Sequence, residues 1–416
     1  MDPPNLFDPI PKQDSIEQSF LHRVRPLNAL VSGAPITFQD ESDQTHALDL
    51  SRSKLYVKLK VVKANGTAVA ALERTGLINY PIGTLWARAE GYLNDTKISD
   101  ATNYGLKAYV EALLATSTRC KDEQLASAGY YKDDAVEFDS TTVAPPNYNW
   151  GFYYRNKLTA ESKICELIGP MHLAMFHTGR LIPPGVSLRV TLYPTNNKVA
   201  LMANAGSPKV VIEDAALHLH KVQLTPDSEL RLMKGLDQQN AIYRLPKSLI
   251  RTHPLAAQTT AFEIPNFIVS DRLPDTVVIG FTRTAALQGD YKKNVLRFDK
   301  SSLDKLVLHV NGQRLAAGGD NNIDLWNYLS LYEDSMPQFL TQDGIGISRL
   351  DHPDGYYLIK FQISPSGDEY VSKIKGGTID LEGNFGTAIA DGLTMIAYCQ
   401  YNSSMEINKK REVLIN

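Results

Sequence analysis

The sequence predicts an all-β fold: two tandem jelly-roll β-sandwiches with short helices in the loops. Three observations point there. Apolar residues alternate with period two along much of the chain, and 27 glycines and 22 prolines punctuate those runs. One strand–turn–strand–helix unit also occurs twice, about half a chain apart.

The alternation is plainest in four stretches. Leu55, Val57, Leu59 and Val61 are interleaved with Tyr56, Lys58 and Lys60. Val186, Leu188, Val190 and Leu192 are interleaved with Ser187, Arg189 and Thr191. Val277, Ile279 and Phe281 alternate with Val278, Gly280 and Thr282, and Tyr357, Ile359, Phe361 and Ile363 with Leu358, Lys360 and Gln362. Successive side chains on a strand point to opposite faces, so each run reads as a half-buried strand. Short strands set off by turn residues describe an antiparallel sandwich or barrel.

The repeated unit comes next. Tyr92 and Leu93 lead into Asn94-Asp95, then Thr96 to Ile98. His309 and Val310 lead into Asn311-Gly312, then Gln313 to Leu315. Both read as strands joined by a two-residue turn. A helical period follows each. Leu106, Tyr109, Val110, Leu113 and Leu114 come after Asn103, and Leu325, Tyr328, Leu329 and Tyr332 after Asn322, with each Asn placed to cap the helix. The two turns are 217 residues apart in a chain of 416, which implies an internal duplication with one sandwich per half.

The predicted division is a first jelly roll over residues 1–230 and a second over 231–416. The boundary falls within Thr225 to Asn240, where a short polar helix is expected from Asp227 to Leu236. The first half carries an insertion at about residues 116–161, with an aromatic stretch running from Ala144 through Pro145, Pro146 and Asn147 to Tyr154. Such a loop serves either as a contact element or as a lid over its own domain's edge. The candidate subunit-contact residues are Tyr148, Trp150, Phe152, Tyr153 and Tyr154, because aromatics dominate interface cores.

Catalytic signatures are missing. The sequence has no GxSxG, no HExxH and no GxxxxGK[ST], and Gly344-Ile345-Gly346 lacks the third glycine of a dinucleotide loop. His218-Leu219-His220 would share one strand face. A metal-binding jelly roll with that pair also needs a carboxylate just beyond it, and Val222 to Thr225 supplies none. His172 and His177, five apart in a β context, are placed on opposite faces. Cys120, Cys165 and Cys399 have no zinc or disulfide spacing and read as free buried thiols. The chain is therefore read as non-enzymatic, with no catalytic residue, cofactor or metal.

Charged residues make up 21% of the chain and the net charge is −3. The basic run Lys409-Lys410-Arg411 is short, so no specific nucleic-acid binding is expected. No apolar run reaches the ~20 residues of a membrane helix. Met1-Asp2-Pro3-Pro4-Asn5 does not open a signal peptide, so the expected site of synthesis is inside the cell, in cytoplasm or nucleus.

Several stretches, taken in order, resemble the major capsid proteins of Polinton (Maverick) elements and adintovirus-like viruses. They are Leu6-Phe7-Asp8-Pro9, Arg25-Pro26-Leu27-Asn28, Gly33 to Phe38, Leu48-Asp49-Leu50, Leu55-Tyr56-Val57, Tyr92-Leu93-Asn94, Ala108 to Leu114 and Tyr130-Tyr131-Lys132-Asp133. Further along come Glu166 to Gly169 with Met171-His172, Val211 to Ala215, Leu273 to Gly280, Gly289 to Asn294 and Asp354-Gly355-Tyr356. The family often has a longer basic segment after the aromatic loop; here only Arg155, Lys157 and Lys163 are basic. The resemblance implies a double jelly roll that forms a homotrimer of pseudo-hexameric outline. Neighbouring trimers, with a minor (penton) capsid protein, would build an icosahedral virion shell. A jelly-roll carbohydrate-binding protein and a host-domesticated capsid-derived protein are the alternatives.

Overall fold

A computed structural model describes residues 13–70, 73–143, 148–316, 323–332, 344–364 and 376–415. The first half contributes eight principal strands. They are β1 (Ile16–Val24), β2 (Ile36–Asp40), β3 (His46–Val62), β4 (Trp86–Leu93), β5 (Thr96–Thr102), β6 (Cys165–Gly169), β7 (Leu188–Pro194) and β8 (Lys209–Leu224). Two antiparallel sheets result, in the orders β1-β8-β3-β6 and β2-β7-β4-β5.

The second half repeats the pattern. Its strands are β9 (Ala241–Leu255), β10 (Ala261–Ser270), β11 (Thr276–Arg283), β12 (Leu303–Val310), β13 (Gln313–Ala316), β14 (Leu358–Gln362), β15 (Gly377–Phe385) and β16 (Leu393–Ile407). The sheets run β9-β16-β11-β14 and β10-β15-β12-β13. Adding eight to each strand number of the first sandwich gives the second. This is the jelly-roll order in both halves, with consecutive strands passing from sheet to sheet except at the hairpins β4-β5 and β12-β13.

The repeated turns have a common local cause. Leu93 pairs with Thr96 and Val310 with Gln313, leaving two residues in each turn. Asn94 and Asn311 take φ of 51° and 50°, the left-handed region that Asn tolerates and two-residue hairpins need. The helices after them are α1 (Tyr104–Ala115) and, in the second half, Ile323–Ser330. Asn103 precedes α1 but makes no side-chain cap, because its own φ of 53° turns it out of capping geometry. Asn322, the other expected cap, lies outside the described residues, as do Leu6 to Pro9 and Ala144 to Asn147. A helix over Pro226–Gln238 joins the two sandwiches.

The expectation of half-buried strands needs one correction. On β3 it holds: Leu55, Val57, Leu59 and Val61 are buried, while Tyr56, Lys58 and Lys60 are half-exposed. On β11 both faces are buried. Val277, Ile279 and Phe281 enter the interior of the second sandwich, together with Met395, Ala397 and Cys399 of β16. Val278, with Leu358 of β14 and Ile396 and Tyr398 of β16, belongs to an apolar cluster continuous with the core of the first sandwich. The halves are thus joined by a seam that is itself core.

That seam encloses a lysine. Lys121 is buried, and its Nζ donates to the carbonyls of Leu113 and, across the seam, Ile345. Burial, reinforced by the Lys132 ammonium, pushes its pKa down to about 7. Between there and the unfolded value of 10.5, the unfolded chain holds a proton that the folded one has released. Stability therefore climbs as pH rises through this window. Lys121→Met removes the titration. The wild-type minus K121M difference in unfolding free energy is expected to shift in favour of wild type between pH 7 and 9.5. The shift is on the order of 3 kcal/mol, at 1.36 kcal/mol per pH unit. A flat difference in urea titrations across that range would show Lys121 to be protonated throughout.

Cys165 and Cys399 are buried free thiols that burial pushes up to about 11 and 12, whereas Cys120 is only half-buried. Among the described residues no helix is long and apolar enough to cross a membrane.

Candidate functional site

The insertion divides its labour by residue. The helix α2 within it (Trp150–Thr159) starts where the Asn149 side chain accepts the backbone N–H of Phe152 at 3.1 Å. The Asp134 carboxylate accepts that of Trp150 at 2.6 Å. Gly151 lies so close to the preceding segment that a Cβ there would sit 2.5 Å from the Lys132 carbonyl oxygen. Arg155 anchors the helix from within. It is wholly buried and donates to the carbonyls of Leu77 (2.8 Å) and Tyr131 (2.7 Å) and to Asp133 Oδ1 (2.5 Å).

The five aromatic candidates consequently separate. Phe152 is fully buried, packed against Gly76 in the core of the first half, so its ring cannot meet a partner. Trp150 (50% exposed) and Tyr154 (43%) face outward, stacked with centroids 6.0 Å apart. Tyr131 stacks beneath Tyr154 at 5.5 Å, and Tyr148 and Tyr153 flank Trp150 at 4.4 and 6.1 Å. The helical turn sends Phe152 inward while Trp150 and Tyr154, four apart, share the outer face.

Between α2 and the seam, the insertion grips the second sandwich. Lys132 pairs with Asp351 at 2.6 Å, and Tyr356 donates its hydroxyl to the Asp133 carbonyl at 2.7 Å. The rings of Phe138 and Tyr356 lie 5.0 Å apart. Asp139 accepts from Arg283 at 3.0 Å and Arg297 at 2.8 Å.

A polar cluster occupies the other end of the seam, beside a cavity of about 830 Å³ lined from both halves. Glu111 of α1 is its hub. Oε1 takes Lys107 Nζ at 2.9 Å and, from the second sandwich, Ser248 Oγ at 2.5 Å and Tyr398 Oη at 3.1 Å. Oε2 meets His172 Nδ1 at 2.8 Å. Burial works to raise the carboxyl pKa, but Lys107 and the hydrogen bonds from His172 and Ser248 hold it well below the usual carboxylate range. His172 is fixed in turn: Tyr80 Oη lies 2.7 Å from Nε2, and the Tyr104 hydroxyl accepts its backbone N–H at 2.8 Å. His177 completes the group, its ring centroid 6.1 Å from that of His172. The part of its ring that the surrounding chain desolvates lowers its pKa, although the residue itself stays exposed.

No protein-family model matches the chain, and no curated protein matches it. Solved structures do match, over nearly the whole length. A chain of the Sputnik virophage cryo-EM structure superposes with a TM-score of 0.69 at 10% identity, covering 100% of this chain and 92% of that one. The mavirus major capsid protein gives 0.62 at 11%, covering 100% and 93%. The Faustovirus major capsid protein gives 0.57 at 9%, covering 96% and 92%. The fold is a double jelly roll.

Two histidine readings were tested by the double jelly roll. His218 and His220 share a face of β8 as expected, beside Tyr56 and Asp49 respectively. His172 and His177 were expected on opposite faces. They are instead neighbours, because the chain leaves β6 at Gly169 and coils through a short 3-10 turn at Ala174–His177. Five-residue spacing places side chains apart only if the strand continues. The signal available in the sequence was Pro170, which interrupts the strand one residue after Gly169.

Proposed function

We propose that this chain is a structural major capsid protein that trimerises into pseudo-hexameric capsomers and assembles an icosahedral shell. One observation carries the reading: two jelly rolls of identical strand order are fixed side by side by a core-like seam. Such a chain presents two similar corners, and three copies around a threefold axis present six, which tile a hexagonal lattice. The solved structures named for capsid proteins support it, and the stretches quoted above favour the Polinton and adintovirus-like branch. The division at about residue 230, a penton partner at the fivefold vertices and residence in the virion after synthesis inside the host cell belong to the same proposal. Direct binding of the packaged nucleic acid is not part of it.

Within this reading Trp150 and Tyr154 are the subunit contacts, flanked by Tyr148 and Tyr153. Light scattering on the purified protein, followed by negative-stain imaging, is the test. A mass three times the 46.2 kDa subunit, with hexagonal outlines, is expected. Trp150→Ser with Tyr154→Ser is expected to lower the mass toward one subunit. It should cost roughly 1–3 kcal/mol through the lost aromatic stacking and leave a cooperatively folded chain. A wild-type protein that stays monomeric at high concentration would end the capsid proposal. A trimer indifferent to the double substitution would move the contact elsewhere.

A further inference from the structure

Beyond shell assembly, we propose that Glu111, His172 and His177 form a binding site for a first-row divalent cation of the zinc type, set at the seam between the two jelly rolls. The ligand atoms of these three residues all lie within 4.8 Å of one another, and among the described residues they are the grouping of His, Cys, Asp and Glu with this geometry. Two imidazoles and one carboxylate are the donor set that zinc accepts with a fourth position left for water, whereas calcium and magnesium take oxygen. Ligand atoms around a tetrahedral zinc sit about 3.3 Å apart, from metal–ligand distances near 2.0 Å. The contraction from the present spacing, at most 4.8 Å, falls to His177, whose side chain is exposed while Glu111 and His172 are held by hydrogen bonds. The adjoining cavity of about 830 Å³ admits the ion and its water.

The surroundings are built as a metal site's surroundings are. The ion takes the place of the proton now shared by Glu111 Oε2 and His172 Nδ1. His172 then carries its proton on Nε2 and donates it to Tyr80 Oη, which already lies 2.7 Å away. A ligating histidine characteristically has such a partner on its other nitrogen. The opposite carboxylate oxygen, Oε1, is held by Lys107 from α1 and by Ser248 and Tyr398 from the second sandwich. Glu111 is therefore aimed from both halves, and loading the ion fixes the residue on which both halves converge. The Lys107 ammonium, 2.9 Å from Glu111 Oε1, opposes the ion and limits its affinity.

The test uses the full chain, stripped with a chelator and titrated with ZnCl2 by calorimetry. Co2+ serves as a visible probe of four-coordinate geometry. One ion per chain is expected, with a thermal midpoint that rises with free zinc because the ion binds the folded state. His177→Gln, at a partly exposed position, should fold normally, weaken binding by at least roughly ten-fold and abolish the cobalt spectrum. Glu111→Gln should do the same. His218→Gln with His220→Gln should change nothing. Absence of saturable binding to the wild-type chain, or equal affinity in folded His177→Gln, overturns the proposal.

Discussion

Arg155→Ala is expected to destabilise the chain by about 3–5 kcal/mol, the range for removing one partner of a buried ion pair. Arg155 and Asp133 are both fully buried and meet at 2.5 Å. Truncating the arginine leaves the carboxylate with no counter-ion, removes the donors of the Leu77 and Tyr131 carbonyls, and opens a cavity beneath α2. Burial raises the Asp133 pKa even with Arg155 beside it, and without Arg155 that rise grows. The deficit should therefore shrink as pH falls, because the penalty on a group whose folded pKa is raised is present above that pKa and vanishes toward the unfolded value. Urea unfolding of wild type and variant at several pH values measures both effects. Arg155→Met with Asp133→Leu, which removes both charges, should recover part of the loss. Equal losses in the single and double variants would mean that packing, not charge, dominates here.

Val278→Asp is expected to cost about 3 kcal/mol, by putting a carboxylate into the apolar cluster of the seam where it walls the cavity. Its consequence should differ from that of Val277→Asp next to it. Val278 faces the seam and Val277 the interior of the second sandwich. Val278→Asp should loosen the docking of the sandwiches while each retains its sheets, letting the already exposed connecting helix Pro226–Gln238 unwind into protease. Val277→Asp should unfold the second sandwich itself and open cleavage throughout it. Limited proteolysis with mass mapping separates the two patterns. Identical digests from both variants would show that the seam and the second core fail together as one cooperative unit.

The two substitutions mark how far the sequence could be read. Period-two alternation reports that a strand has one apolar face, so Val277, Ile279 and Phe281 were legible as core. Nothing in that pattern says whether the opposite face is wet. Val278 and Thr282 look like the outer side of a half-buried strand until another part of the chain covers them. Arg155 read as one of three basic residues near the aromatic loop, and its burial follows from partners 22 to 78 positions away. The aromatic stretch was legible as special, but its helical turn, which sends Phe152 inward and Trp150 outward, was not.

What the sequence determined by itself was local and repeated. Asn94-Asp95 and Asn311-Gly312 dictate tight hairpins because their backbone must enter the left-handed region. The same unit at a separation of 217 residues dictates two sandwiches. Tertiary structure alone decided which second faces are covered, where the insertion grips the other half, and that Glu111, His172 and His177 converge. Those outcomes depend on contacts between residues distant in the chain, and short-range periodicity carries no record of them.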